Sequence, residues 1–486
     1  MSQLLVEDSR FGPRRVLLQL RPVWHIFLPY SLLSILFMLA VQLYGPFLRS
    51  MVKCAAKLQP GAFTGSAHCG DSNLVLSVAQ AREGRLVALK LLVHAFAGPV
   101  LALLADSVGR RPVLLLGLGG FTVAFGLFAS VAGLPVIHGS QSVMCMSFIV
   151  EGCTSAFDVV FLSVLADLAK STTDRVTCFS VLYGVGAFGH AIALCFAARI
   201  LRWELKNYAP VWVAMTMGMA GVTMLVLLCI PESLPSAQAK LRPQKLTLSK
   251  VMTSTAVQMR FLISNRFLQI WLTAVLFKSL AAGLGSIYAS FTLAAYAWKP
   301  GDWQAATWPF EMISMGSLSL LGPLAARKRP ESVISFTSIA GILTHGCQIL
   351  APFSALALVG PHLFSGLLAF ARPVSAAFLS SMFPASQQAK VQALAHLVHD
   401  CGISVSMATF SGPWLFRPHL QGWDAARPFL FAGLLAALGN SMKLLLVQRM
   451  LRTQVGKPQM EMVSVSELAH ASSKAVEADM AELTEC

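Results

Sequence analysis

The sequence has too little charge for a soluble protein of its length. Only 12% of its 486 residues are Asp, Glu, Lys or Arg, whereas 56% are hydrophobic. Soluble domains usually carry about a quarter charged residues, so this chain cannot coat two or three such domains with a polar surface. The mean hydropathy of +0.66 agrees with this. The apolar residues must therefore face lipid, which predicts an integral membrane protein.

Acidic residues are scarce as well, because 37 Lys and Arg outnumber 22 Asp and Glu and give a net charge of +15. A nucleic-acid partner is not expected, since the basic residues lie between apolar runs and form no basic face with interleaved aromatic residues. They fit the excess of Lys and Arg that membrane proteins carry in cytoplasmic loops. The N-terminus lacks a short apolar core with a small-residue cleavage site, so the first span is expected to act as its own insertion signal.

Metal and disulfide patterns are also missing. The ten cysteines show no CxxC or Cys/His spacing, and most lie in apolar runs, where they behave as small hydrophobic residues. Cys54 and Cys69 are both expected in the first long loop, where they can form a disulfide if that loop is lumenal or extracellular. No nucleophile, metal-ligand or phosphate-loop pattern stands out, so we expect neither an enzyme nor a bound metal.

The apolar runs predict an all-α membrane fold. A helix needs about 20 mostly apolar residues to cross a bilayer, and the chain contains about twelve such runs. They are predicted near residues 23–47, 86–105, 112–132, 142–166, 176–198, 209–230, 267–290, 304–325, 331–351, 354–383, 391–415 and 428–448. The resulting regions are a cytosolic N-terminus (1–22), a six-helix bundle (23–230), a basic cytosolic linker (231–266), a second six-helix bundle (267–448) and a cytosolic tail (449–486). With the N-terminus inside, the inner segments collect roughly 21 Lys and Arg against about 11 outside.

The sharpest motif joins the second and third spans at residues 102–112, with the sequence A-L-L-A-D-S-V-G-R-R-P. It resembles the cytoplasmic signature of the major facilitator superfamily, G-x-L-A-D-R-x-G-R-R/K, with Ala and Ser at two of its positions. Gly109 permits a tight reversal of the chain. Arg110 and Arg111 anchor the loop inside, and Asp106 offers a charge partner that can form or break as helices move. We therefore expect these four residues at a cytoplasmic gate.

Three further stretches resemble the same family. They are A-D-L at 166–168 with Arg175 eight residues beyond Asp167, P-E-S-L at 231–234, and the run at 384–393 that is followed by G-P at 412–413. The last run is most similar to the branch that contains tetracycline/proton antiporters and hippocampus-abundant-transcript-like transporters. The resemblance implies two six-helix bundles that work by alternating access, with Asp167 and Arg175 added to the gate. It also implies that the first, fourth, seventh and tenth helices line a central cavity.

Seven ionisable residues fall well inside predicted spans. Each Arg, Lys or Asp at mid-membrane costs roughly 2.5–3.5 kcal/mol to insert, so these groups must face one another or a wet cavity. Three bases and four acids make pairing nearly complete. The seven are Lys90, Glu151, Asp158, Lys278, Glu311, Arg372 and Asp400.

The candidate substrate and proton site combines residues from three cavity-lining helices. On the fourth span, a polar stripe is spaced i, i+3, i+4, i+7 and consists of Glu151, Thr154, Ser155 and Asp158. The resemblance adds Lys278 on the seventh helix and Arg372 on the tenth. A desolvated carboxylate in such a stripe can exchange protons near neutral pH. The alternative interpretation is a set of static ion pairs and hydrogen bonds between helices.

Four more residues are secondary candidates. Lys90 and His94 lie one turn apart on the second helix, and Lys90 can alternatively extend its ammonium to the outer face. Glu311 and Asp400 are the remaining acids within spans, and the histidines near Asp400 suit either gating or proton relay.

The predicted function is secondary active transport of a small organic solute by alternating access. The proton is the expected coupling ion, and no organic cofactor or metal is expected. The expected partners are the solute and the bilayer of the plasma membrane or an endomembrane, and the protein is expected to be a monomer. Two alternatives stay open, namely a facilitator of the same fold that uses no ion, and a receptor- or scaffold-like protein that does not transport.

Overall fold

The computed structural model is helical in the part of the chain that it describes, and no β-strand occurs there. The described residues are 24–58, 72–133, 140–155, 157–168, 172–203, 207–233, 265–325, 330–364 and 385–455, with isolated positions 368, 374, 375, 378, 379, 382 and 383.

The first half of the chain packs its helices around one apolar core. They are α1 (Trp24–Leu58), α2 (Ser72–Ser107), α3 (Arg110–Gly133), α4 (Ser140–Thr154), α5 (Phe157–Leu168), α6 (Thr172–Arg202) and α7 (Ala209–Cys229). Large aromatic side chains of α1, α3, α4 and α7 meet at the centre, where the rings of Phe128 and Trp212 stack with centroids 4.8 Å apart. Tyr44 and Phe148 complete this cluster. These helices are apolar on most faces, so ring packing fixes their orientation.

The second half contains the remaining helices. They are α8 (Arg266–Ala282), α9 (Tyr288–Ala295), α10 (Asp302–Ala325), α11 (Pro330–Gln348), α12 (Ala355–Val359), α13 (Ala385–Phe410), α14 (Gly422–Ala425) and α15 (Arg427–Val455), with 3₁₀ turns at Gly283–Ile287, Ala351–Phe353 and Gly360–Phe364. The last helix, α15, packs against α8 and α11. A first cluster around Phe291 and Phe429 and a second around Trp271 and Phe378 fill the space between these helices.

Two pairs of helices join the halves. Helix α2 packs along α13, and α6 packs along α10. We refer to these contacts as the α2–α13 seam and the α6–α10 seam. The end of the molecule where α1 begins is named proximal, and the end where α1 ends and α2 begins is named distal. The sequence predicts that the proximal end is cytosolic.

Several described helices meet the requirement for crossing a bilayer. By length and apolar composition they are Trp24–Met51, Arg110–Gly133, Val181–Arg202, Ala209–Cys229, Arg266–Ala295 and Arg427–Met450. Helix α2 is long enough but carries four charged residues between positions 82 and 90, which lowers its hydropathy. These helices confirm a multi-pass membrane protein, whereas the total of twelve spans stays a prediction.

The first loop is shorter than the sequence predicts. Helix α1 extends to Leu58 and α2 already begins at Ser72, so the predicted 48–85 loop shrinks to residues 59–71. Arg49 on α1 and Glu83 on α2 are half-buried electrostatic neighbours, so their opposite charges compensate each other where the two helices extend. The prediction that Cys54 lies in this loop is therefore wrong, because it belongs to α1. Cys69 lies outside the described residues, so the disulfide stays a prediction.

The fourth predicted span is interrupted. The sequence predicts one helix over 142–166, but α4 ends at Thr154 and α5 begins at Phe157. The hydroxyl of Thr154 donates to the carbonyl of Val150, and that of Ser155 to the carbonyl of Gly152. Ser and Thr side chains that bond back to the preceding turn weaken and bend helices, which accounts for the break at this point.

Candidate functional site

A buried ion pair links α2 and α4 inside the first half. The Lys90 ammonium pairs with Oε1 of Glu151, with Lys90 only 5% exposed and Glu151 fully buried. The hydroxyl of Tyr44 on α1 donates to the other carboxylate oxygen at 2.7 Å. Three helices therefore supply one charge-neutral, hydrogen-bonded group, as insertion energetics require of charges within a bilayer.

Aromatic rings surround the Lys90 ammonium. It lies 4.7 Å from the centroid of the Phe37 ring and 5.5 Å from that of Tyr44. A ring face attracts a cation, and the attraction is stronger where water is excluded. The prediction that Lys90 can extend to the outer face is wrong for this structure, because the ammonium points to Glu151 in the interior.

The polar stripe of the fourth span does not act as one face. Glu151 faces α2, whereas Thr154 packs against Gly120 on α3, where an added Cβ would collide with its side chain. The break after Thr154 places Asp158 on the separate helix α5. The side chain of Asp158 lies outside the described part of the chain, and so does all of Arg372.

Ser155 belongs to a second group, which crosses the α2–α13 seam. Its hydroxyl lies 2.8 Å from Nδ1 of His94, and they are hydrogen-bonded. Nε2 of His94 in turn lies 3.5 Å from Oδ2 of Asp400 on α13. His94 therefore lies one turn of α2 away from Lys90, so the Lys90–Glu151 pair within the first half is close to the His94–Asp400 contact between the halves. The structure brings together the predicted residues Ser155, His94 and Asp400.

Polar contacts continue along the same seam toward the distal end. The amide of Gln80 on α2 donates to the carbonyl of Ser286 at 3.0 Å and to the hydroxyl of Ser411 at 3.3 Å, and it accepts a hydrogen bond from Ser290. Nearer the middle, Ser404 donates to the carbonyl of Ala88 at 2.7 Å. These contacts hold the distal half of α2 against α13, α9 and the 3₁₀ turn at Gly283–Ile287.

The α6–α10 seam contains the other predicted acid, Glu311. Its carboxylate lies 2.6 Å from Nδ1 of His362, and His190 on α6 is an electrostatic neighbour of both. At the distal end, Arg202 pairs with Asp302 at 3.0 Å. Each seam thus brings a carboxylate of the second half close to a histidine of the first.

Lys278 lies away from both seams. Its Cγ lies close to Gly439 on α15, where an added Cβ would sit 3.0 Å from it. Lys443 on α15 and His345 on α11 are its electrostatic neighbours. The structure therefore directs Lys278 into the second half and not toward Glu151.

The predicted gate motif makes the expected tight turn at Gly109, and it binds a carboxylate that the sequence does not predict as its partner. Gly109 has φ +129°, a conformation that L-residues rarely adopt, and it reverses the chain between α2 and α3. The backbone N–H groups of Arg110 and Arg111 donate to the carboxylate of Glu232, at 2.9 and 3.2 Å. The Arg111 guanidinium also donates to the carbonyl of Leu227.

Glu232 follows α7, so its carboxylate sits at the N-terminus of α3, where a negative charge is favourable. The side chains of Asp106, Asp167 and Arg175 lie outside the described part of the chain. Their places in the gate therefore stay predictions.

Sequence reasoning missed several residues of these groups, among them Tyr44, His190, Glu232 and His362. Tyr44 looks like a core aromatic residue within an apolar run, and only its partner identifies its role. Glu232 was part of a recognised motif, but nothing in the sequence linked it to α3.

Comparisons with known proteins agree on one family. The sequence profile of the Major Facilitator Superfamily matches residues 30–407. The chain is 26% identical over 348 residues to the class D tetracycline resistance protein of Salmonella ordonez, covering 68% of this chain and 78% of that protein. It is 33% identical over 113 residues to the class C protein of Escherichia coli, covering 23% of this chain. That match spans only about a quarter of the class C relative, 26% of its length.

Solved structures show the same fold. The human organic anion transporter MFSD10 (TETRAN) superimposes with a TM-score of 0.62 at 16% identity, covering 89% of this chain and 100% of that one. A D-xylose-proton symporter superimposes with a TM-score of 0.59 at 18% identity, covering 87% of this chain and 97% of that one.

Proposed function

Because the chain belongs to the Major Facilitator Superfamily, we propose that it is a secondary active transporter. It moves a small organic solute across its membrane by alternating access between two bundles of six spans, with both termini cytosolic. The proton is the coupling ion. The proposal follows from the family and from one observation in particular, the buried group of Lys90, Glu151 and Tyr44.

This group is suited to carry a proton. When Glu151 is ionised, Lys90 and Tyr44 compensate its charge. When Glu151 takes up a proton, the ammonium loses its attraction to the carboxylate and becomes a buried charge without a counter-ion. Such a charge is costly in a bilayer, so protonation favours a rearrangement of α2. A passive structural pair does not explain why the chain keeps ionisable groups where an apolar pair would do.

The same helix connects the proton to access. His94 is one turn from Lys90 and contacts Asp400 across the α2–α13 seam. A rotation or shift of α2 that follows protonation of Glu151 therefore also changes this contact between the halves. The distal end can open only when the seam contacts of Gln80, Ser404 and Asp400 break. Proton binding and access are thus coupled through one rigid helix.

The relatives support a small organic solute as substrate. They include a tetracycline resistance protein, an organic anion transporter and a D-xylose-proton symporter. Asp158 and Arg372 remain candidates for the solute site on the fourth and tenth spans, as the sequence predicts. Asp106, Asp167 and Arg175 remain candidates for the gate.

The test is uptake by proteoliposomes that contain the purified protein, measured against a panel of organic anions, sugars and amphiphilic drugs, with and without a pH gradient. We expect a gradient to drive accumulation of at least one solute in the wild type. Glu151→Gln should abolish this accumulation while exchange of the solute continues. Equal uptake with and without the gradient would support the ion-independent facilitator, and no uptake of any solute would support the receptor-like alternative.

A further inference from the structure

Two lysines inside the second half have no acidic partner among the described residues. Lys278 on α8 packs beside Gly439 of α15. Lys443 lies one turn beyond Gly439, is 5% exposed, and places its ammonium 4.8 Å from the centroid of the Trp271 ring. The two charges are close enough to repel each other. Among the residues that the structure describes, neither ammonium forms an ion pair or a hydrogen bond with another side chain.

The second half and the linker before it supply no acid that neutralises them. Residues 265–455 contain five acidic residues, which are Asp302, Glu311, Glu331, Asp400 and Asp424. Four of them contact basic or imidazole groups elsewhere, in the two seams and at the start of α15. The fifth, Glu331, begins α11 and makes no ion pair with either lysine. The basic linker before α8, at residues 234–264, contains no acid at all.

Neighbouring groups add to the need for a ligand. His345 on α11 is an electrostatic neighbour of Lys278, and its Nδ1 lies 2.9 Å from the carbonyl of Gly341. Asn440, three residues before Lys443, is 1% exposed, and its Oδ1 has no hydrogen-bond partner. Buried polar atoms normally find partners in protein or water. The cluster thus combines two cations with a buried acceptor, which the hydroxyl of a hydrogen phosphate or a water bound beside the anion can satisfy.

We propose that Lys278 and Lys443 bind the anionic group of a ligand, a carboxylate or a phosphate, between α8, α11 and α15. An oxyanion beside both ammonium groups replaces their repulsion by two attractive, hydrogen-bonded contacts. Without it, two like charges lie close together within the second half, at a cost that the bilayer increases. The site is separate from the Lys90–Glu151 pair, so it does not depend on proton coupling.

The test measures thermal stability of the purified full-length protein, because a ligand that binds the folded state raises its unfolding temperature. In an uncharged detergent, the protein is titrated with sodium phosphate and, separately, with sodium acetate, against sodium chloride of equal ionic strength. A parallel arm compares vesicles of phosphatidylcholine with vesicles that also contain phosphatidylglycerol. Stabilisation in the first arm identifies a dissolved anion, and stabilisation in the second alone identifies a lipid headgroup.

Three variants connect the effect to the site. Lys278→Met and Lys443→Met should each weaken binding at least about tenfold, because each removes a charged hydrogen bond at nearly constant volume. Lys299→Met is the matched control, since Lys299 is an exposed residue between α9 and α10 and should leave the stabilisation unchanged. If one variant fails to fold, the other decides. No stabilisation of the wild type in either arm, or full stabilisation of either variant, would overturn the proposal.

Discussion

Replacing Glu151 by Gln should destabilise the protein by about 3–5 kcal/mol, because the amide leaves the Lys90 ammonium buried without a counter-charge. Lys90 is 5% exposed, so water cannot replace the lost partner. The amide keeps the size of the carboxylate and can still accept the hydrogen bond from Tyr44. The change in stability therefore reports the loss of charge and not a change in packing.

Two companion variants divide this effect into its parts. Tyr44→Phe removes one hydrogen bond to a charged acceptor and should cost about 1.5–3 kcal/mol. Adding Lys90→Met to Glu151→Gln removes the orphaned charge, and uncharged replacements of buried pairs are often close to neutral. The double variant should therefore be more stable than Glu151→Gln alone, although it lacks both members of the pair.

Unfolding is followed in detergent by intrinsic tryptophan fluorescence, which Trp212 reports because it packs beside Tyr44. Glu331→Gln is the matched control: Glu331 starts α11 and forms no ion pair with another described residue, so its loss should cost less than about 1 kcal/mol. Two results together would refute the reasoning. They are a Glu151→Gln variant within about 1 kcal/mol of the wild type and a double variant no more stable than that single variant.

Three further predictions concern the gate, the seam and the topology. Gly109→Ala should lower the free energy of unfolding by about 1–3 kcal/mol, because a φ of +129° is strained for alanine. Gly119→Ala on α3 is the control: an added Cβ meets open space there, so this change should be neutral or stabilising. Thermal unfolding of the two variants tests this. Asp400→Asn weakens the contact with its histidine across the α2–α13 seam, so an impermeant thiol reagent should label a cysteine introduced at Ser404 faster in that background; an unchanged rate would exclude a gating role. Cys486 should react only from the cytosolic side, and labelling from the opposite side of sealed vesicles would contradict the predicted topology.

The need for charge pairing could be predicted from the sequence, but the pairs could not. The cost of isolated charges in a bilayer indicates that Glu151 must have a partner, and the structure supplies Lys90. To predict that Glu151 pairs with Lys90 and not with Lys278, one must know how each helix is rotated about its own axis. Helices that are apolar on every side give no such orientation, because an amphipathic pattern is what reveals the buried face. The resemblance implies that the seventh helix lines a central cavity, but it does not say which side of that helix carries Lys278, which lies against Gly439 of α15.

Local backbone chemistry was more predictable than contacts between distant segments. Gly109 was predicted to reverse the chain because the motif needs a tight turn, and its positive φ confirms this. Glu232 was not predicted to cap α3, since 121 residues separate it from Arg111. The break after Thr154 was missed although its cause is local, because the apolar run continues through it and hides the effect of two adjacent hydroxyl side chains.

The two seams suggest why the chain uses histidine where most contacts between the halves are neutral. His94 lies beside Asp400 in one seam, and His190 lies near Glu311 and His362 in the other. A carboxylate attracts a protonated imidazole more strongly than a neutral one, so under the proposed proton coupling a proton on these histidines would strengthen the contacts between the halves. In the same proposal, a proton on Glu151 would act in the opposite sense, because it would remove the attraction between Glu151 and Lys90. The order in which these groups gain and lose protons would then decide when the distal end opens. That order is the property which distinguishes a proton-coupled transporter from a facilitator of the same fold.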